Sequence, residues 1–188
     1  LNKFHIVGFV DKKDTNPGIK RLGDDEVLSS LYNSGIKKAF IAVGSIGKPN
    51  VRIRLYNTLK NIGYKFPTII DKTASVAGNA VIEEGTFVGK GAVVNSGTVI
   101  RKQCIINSGA IVEHDCIINE FVHLAPGAIL SGGVSIGKRT HVGANAVIIQ
   151  NIKIGEDVLI GAGSVIIRNV KNDIKIYGNP GKEVGSNE

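Results

Sequence analysis

The chain holds 188 residues, with 23 lysines and arginines against 16 aspartates and glutamates, a net charge of +7. Glycine is abundant at 24 residues, Met and Trp are absent, and 43% of residues are hydrophobic while only 5% are aromatic. That balance excludes a disordered chain, which lacks apolar surface to bury, and a collagen, which needs glycine at every third place. No apolar run approaches the ~20 residues that span a bilayer.

Residues 1–66 predict a small α/β domain. His5–Val10 and Ala39–Val43 read as buried strands, with His5 structural at the start of the first. Asp24 is placed to cap a helix running to about Asn33 and ended by Gly35. Asn50–Asn61 reads as a second helix ended near Gly63. Strand–helix–strand–helix order predicts a parallel sheet, a partial Rossmann-like unit. The chain opens at Leu1 without Met and lacks an opening strand with its glycine loop, so it reads as missing its natural start. Gly44-Ser45-Ile46-Gly47-Lys48 has the wrong spacing for a P-loop.

Residues 67–188 predict a different architecture. From Val76 the chain divides into sixteen hexads, without an insertion, as far as Lys171. The first position is Val, Ile or Leu in all sixteen. A helix needs apolar spacing near 3.6, which a period of six does not supply. Short strands joined by turns do fit. Three hexads close a triangular coil of 18 residues, and stacked coils pair as parallel strands ~4.8 Å apart. First and fifth positions point inward and sixth positions outward. Yet the outward column Val93, Ile111, Ile129, Val147 and Val165 is wholly apolar, which predicts a partner surface and self-association as a trimer of parallel prisms.

Two cysteines, Cys104 and Cys116, make no disulfide framework, and both fall at inward fifth positions as core residues. No signal peptide opens the chain, so a cytoplasmic protein is expected. Scattered basic residues without interleaved aromatics argue against nucleic acid as a partner.

Three histidines lie on the prism. His114 is at an outward third position, followed by Asp115, and the next residue in its column is Gly132. A carboxylate beside an imidazole fixes its tautomer and raises its basicity, which suits a general base near neutral pH. A side-chain-free residue above it leaves room for a ligand and opens backbone N–H groups. His123 and His141 are 18 apart and stack with Phe87, Ile105 and Leu159. His114 and His123 lie on different faces of one chain, so they meet only if subunits pack side by side, which predicts a site at a subunit interface. Ala144 and Ala162 form a small-residue column beside Gly143 and Gly161, a groove suited to an extended ligand arm that uses backbone polar groups. Lys153 and Lys171 are expected to stack and, with Arg168, to face the phosphates of a small ligand.

The hexads resemble the left-handed parallel β-helix of the hexapeptide acyltransferases. Glu113-His114-Asp115-Cys116, Glu120-Phe121-Val122-His123, Gly178-Asn179-Pro180-Gly181-Lys182, and the lead-in segments Gly8-Phe9-Val10-Asp11 and Ala42-Val43-Gly44 together resemble the NeuD/PglD family. Members are acetyl-CoA-dependent acetyltransferases acting on sialic acid or nucleotide-linked amino-sugars. The resemblance implies His114 as catalytic base and Asp115 as the acid that supports it. It implies His123 near the acetyl thioester and Gly132, Ala144 and Ala162 as backbone contacts of acetyl-CoA. It implies Asp11, Lys12 and Gly44 at the nucleotide-sugar and Asn107 near the sugar. Acetyl-CoA is the expected co-substrate, and no metal is expected. The family's first strand and glycine loop would precede Leu1, and Gly181 stands where members often carry Ala.

Two rival readings attach to the same solenoid. In γ-class carbonic anhydrases histidines from two subunits hold zinc, and His114, His123 and His141 are the candidates here. A non-catalytic ice-binding scaffold needs an outward Thr array, whereas Thr86, Thr98 and Thr140 fall inward.

Overall fold

The computed structural model describes residues 4–14 and 18–187. The hexads wind into a mainly β, parallel β-helix with three faces. The first face stacks strands Ser75–Val76, Val93–Val94, Ile111–Val112, Ile129–Leu130, Val147–Ile148 and Val165–Ile166. The second stacks Val81–Ile82, Val99–Ile100, Ile117–Ile118, Ser135–Ile136 and Lys153–Ile154. The third runs from Ile69–Ile70 through Phe87–Val88, Ile105–Ile106, His123–Leu124, His141–Val142 and Leu159–Ile160. It ends in the hairpin Ile174–Tyr177 and Lys182–Ser186. Because Ile69 pairs with Phe87, the repeat begins one hexad earlier than the Val76 frame predicts.

Each turn depends on its fourth residue. From Gly85 to Gly163 every fourth position lies in the left-handed region, including Gln103, Asp115, Phe121, Arg139, Asn145, Asn151 and Asp157. Its N–H then bonds the third-position carbonyl of the preceding coil, as Asp115 does to Ser96 at 2.9 Å. Where the fourth residue carries a side chain, a glycine often lies one coil before it. A Cβ on Gly97 would run into Asp115, and one on Gly127 or Gly133 would run into Asn145 or Asn151.

First positions fill the prism: Ile100, Ile106, Ile118, Leu124, Leu130, Ile136, Ile148 and Ile160 are fully buried. Each such side chain contributes about 1.5–3 kcal/mol relative to exposure. Fifth-position Thr and Cys are also sealed inside, and each satisfies its polar atom on the second-position carbonyl fifteen residues on. Thr86 donates to Arg101 at 2.9 Å, Thr98 to Glu113 at 2.9 Å and Thr140 to Gly155 at 2.8 Å. The thiols of Cys104 and Cys116 donate to Asn119 and Ser131 at 3.0 and 3.3 Å.

The register of 18 fails only in the last coil. Ile154 pairs with Val170 and Ile160 with Ile176, sixteen residues apart in each case. The Asn169 side chain accepts the Lys153 N–H at 2.8 Å and tightens that turn. Lys171 therefore does not stack over Lys153, contrary to the constant period.

Residues before the prism fold more loosely than predicted. Phe9–Val10 pairs parallel with Arg21–Gly23, a two-stranded sheet. Residues 4–7, His5 included, are exposed coil, and Ala39–Val43 forms no strand, though Ile41 is buried. Those stretches have the apolar content of strands, but among the described residues no neighbouring strand pairs with them. The helices follow the sequence closely. Asp24 caps a short turn leading into α1 (Leu28–Asn33), and α2 (Asn50–Ile62) ends on Gly63 at φ 110°. Arg52, Tyr56 and Leu59 form the buried stripe of α2, and the first two meet the prism. Arg52 Nη2 donates to the Gln103 carbonyl at 2.7 Å, and the Tyr56 ring sits 5.6 Å from Phe121, edge to face. Among the described residues no helix is long and apolar enough to cross a membrane.

Candidate active site

The corner between the first and second faces carries Glu113, His114 and Asp115. Asp115 takes the left-handed turn position at φ 59°, a conformation that Asp tolerates better than most residues. That turn aims its carboxylate back at its neighbour: Asp115 Oδ2 lies 2.8 Å from His114 Nδ1. A carboxylate only accepts, so Nδ1 carries the proton and Nε2 presents a lone pair. Both side chains are open, 62% and 71% exposed. The backbone beneath is clamped from both sides, by Asp115 N–H to Ser96 and by Gly133 N–H to the His114 carbonyl, each 2.9 Å. Glu113 is drawn aside by Asn95, whose Nδ2 donates to its Oε2 at 2.9 Å.

Gly132 lies directly over the imidazole: a Cβ there would stand 2.6 Å from His114 Nε2. The N–H groups of Gly132, Ala144 and Ala162, all at third positions, have no acceptor among the described residues. They remain open to a ligand's carbonyls. Ala144 and Ala162 stack at the corner between third and first faces, with Gly163 N–H bonding the Ala144 carbonyl at 2.8 Å. Above them the Tyr177 ring lies on Gly161, closing part of the predicted small-residue groove.

His123 sits on the third face, away from His114, and is 9% exposed. Its Nδ1 lies 2.7 Å from the Ser45 carbonyl and its Nε2 3.3 Å from Asn107 Nδ2. Since a carbonyl only accepts, Nδ1–H donates to Ser45 and Nε2 accepts from Asn107. Burial pushes the His123 pKa down, against the pull of the Ser45 carbonyl; the positive charge of Arg52 lowers it further. The backbone N–H of His123 bonds Thr140 at 3.0 Å, so it is already used in the ladder. Next in the column His141 meets His123 edge to face at 4.8 Å. Burial, with His123 beside it, pushes His141 down to about 4.

The structure thus joins some of the predicted residues and separates others. Gly44 precedes Ser45, whose carbonyl accepts from His123 Nδ1. Asp11 and Lys12 follow the first strand, their carbonyls held by Arg21 Nε at 2.8 Å and Nη2 at 3.4 Å. Among the described residues no hydrogen bond links their side chains to Asn107 or to a histidine. No group of three or more His, Cys, Asp and Glu side chains converges among the described residues. Ser45 escapes a reading of the sequence, because its contribution is a main-chain carbonyl that any residue supplies. Arg52 had a signal, the spacing with Tyr56 and Leu59 along one helix face.

Coils of stacked hexads are the architecture that the hexapeptide-repeat families share, and the comparisons with known proteins agree. The family of bacterial transferase hexapeptides, six repeats, matches residues 133–168, and the hexapeptide repeat of succinyl-transferase matches 79–118. Comparison with curated proteins gave no match. Among solved structures, a histidine-to-asparagine variant of perosamine N-acetyltransferase from Caulobacter crescentus, in complex with CoA and GDP-perosamine, is 32% identical. It aligns over 94% of this chain and 82% of that one with a TM-score of 0.89. The acetyltransferase domain of PglB from Neisseria gonorrhoeae, in complex with acetyl coenzyme A, is also 32% identical. It aligns over 94% and 85% of the two chains with a TM-score of 0.88. WeeI from Acinetobacter baumannii, 24% identical over 97% and 89% with a TM-score of 0.82, shares the fold. The chain belongs to the hexapeptide-repeat sugar acetyltransferases, which use acetyl-CoA as co-substrate.

Proposed function

We propose that the protein transfers acetyl from acetyl-CoA to the amine, or a hydroxyl, of a nucleotide-linked amino-sugar or a sialic acid, with His114 as general base. The observation that carries this reading is the 2.8 Å contact between His114 Nδ1 and Asp115 Oδ2, which leaves Nε2 free to take a proton at an open corner. The acceptor nitrogen attacks the thioester carbon as Nε2 removes its proton. The carbonyl oxygen becomes an oxyanion, for which the unpaired Gly132 N–H is a donor. Collapse breaks the carbon–sulfur bond, the thiolate leaves as CoA, and the proton on Nε2 returns to solvent or to sulfur.

Ala144 and Ala162, with open N–H groups, line the pantetheine path, and His123 packs near the thioester. Asp11, Lys12 and Gly44 meet the nucleotide-sugar in this reading, and Asn107 lies near its sugar. A GDP-sugar in the Caulobacter relative supports this substrate class. Two half-covered faces flank the His114 corner, with Val81 51% and Ile117 46% exposed on one and the Val93–Val165 column on the other. These support a homotrimer with the sites between subunits. Two free, buried thiols fit the cytoplasm.

The test is CoA-thiol release from acetyl-CoA against a panel of GDP- and UDP-linked amino-sugars and sialic acid. One nucleotide-linked amino-sugar is expected to give turnover well above acetyl-CoA hydrolysis. Release with none of them, under conditions where a related enzyme works, would remove the reading.

A further inference from the structure

We propose that Gly97 and Gly132 are positioning residues that together form a socket for the His114–Asp115 pair; this rests on the general-base reading of His114. The two glycines lie one coil below and one coil above the pair. A Cβ on Gly132 would meet His114 Nε2 at 2.6 Å, Cε1 at 2.7 Å and Cδ2 at 3.2 Å, so the imidazole occupies the space a side chain there would take. A Cβ on Gly97 would run into Asp115 Oδ1. The imidazole and the carboxylate are each seated where the adjacent coil lacks a side chain.

Exposure makes the seat necessary. Neither partner is held by burial, at 62% and 71% exposure, and their mutual contact leaves the pair free to turn as a unit. The stacked column supplies the constraint: the ring occupies the side-chain space of Gly132 above, the carboxylate that of Gly97 below. Gly132 brings a second element to the same place, because its N–H has no acceptor among the described residues. One residue therefore sets where the base lies and presents an open donor beside it.

The two positions differ in a way that makes the idea testable. Gly132 has an ordinary φ, so alanine there strains no backbone and meets only the ring. Gly97 has φ 71°, where Asn is the tolerated replacement, as Asn145 and Asn151 demonstrate at equivalent turns. Gly91, at φ 66°, is the control, since a Cβ there would have nothing within 4 Å.

The experiment compares G132A, G97N and G91N in the full chain, reading kcat, KM for acetyl-CoA, thermal midpoint and the nitrogen spectrum of 15N-labelled histidine. The socket predicts that G132A lowers kcat by about 10–100-fold, the scale of a misplaced reacting group. It also predicts little change in KM or midpoint and an altered His114 nitrogen pattern. G97N should lower kcat with the fold intact, and G91N should leave kcat unchanged. In an H114A background G132A should cost nothing further. A further tenfold loss there, or full kcat with an unaltered His114 spectrum in G132A, overturns the socket. If H114A itself retains full turnover, the base reading falls instead, and the G132A spectrum still decides whether the ring is seated on Gly132.

Discussion

His123 donates its Nδ1 proton to the Ser45 carbonyl, 78 residues earlier in the chain, at 2.7 Å. With Nε2 accepting from Asn107, both ring nitrogens are engaged, and the loop bearing Gly44 is tied to the third face. His123 is thus a fixed, neutral strut between the lead-in segment and the prism. His114, by contrast, keeps an Nε2 with no hydrogen-bond partner among the described residues.

That strut predicts a stability cost. His123→Phe keeps the volume and loses both bonds, leaving the Ser45 carbonyl and the Asn107 amide unpaired under cover. The expected loss is about 1–3 kcal/mol, read as a lower urea midpoint. An unchanged midpoint would show that the contact does not tie the two parts together.

Acid should weaken the fold for the same reason. His141 is pushed down to about 4 from 6.5, and His123 is also lowered. Between those two values the unfolded chain binds a proton that folded His141 refuses. The stability contribution is therefore full above about pH 6.5 and declines as pH falls towards about 4. The His141→Leu variant should show a flatter profile over that window. Equal slopes for the two proteins would contradict the assignment.

The cysteines should be inert. Burial pushes Cys104 up to about 12 and Cys116 to about 11, and each thiol donates inside the prism as Thr86 and Thr98 do. Cys104→Thr and Cys116→Thr should retain kcat, and native protein should react with an aromatic disulfide reagent only on unfolding. Rapid labelling of the native thiols would count against the packing.

Self-association has its own test. Ile111→Glu introduces a charge into the half-covered first-face column. Light scattering should show trimer for the parent chain and smaller species for the variant, with activity lost in parallel. A parent chain that runs as a monomer yet turns over substrate would separate the site from any subunit interface.

Much of this was legible in the sequence because a period of six has one physical solution. Val, Ile or Leu at each first position, with polar turns between, specifies coils, register and core together. The Asp115–His114 pair could be read because adjacency and the column residue Gly132 are both sequence properties. What escaped depends on local competition. Asn169 shortens the last coil by capping Lys153, so Lys171 falls out of its column. His5–Val10 has a strand's composition, but composition does not reveal which partner strands are present. Ser45 acts through a main-chain atom and leaves no mark on residue type.

The most direct measurement is the steady-state kcat of His114→Ala on the best acceptor sugar, with trimer and thermal midpoint checked in the same preparation. Removing a general base costs about 10²–10⁴-fold, so the folded variant should lose nearly all turnover while KM for acetyl-CoA changes little. A folded variant with near-parental kcat would contradict the account at its centre.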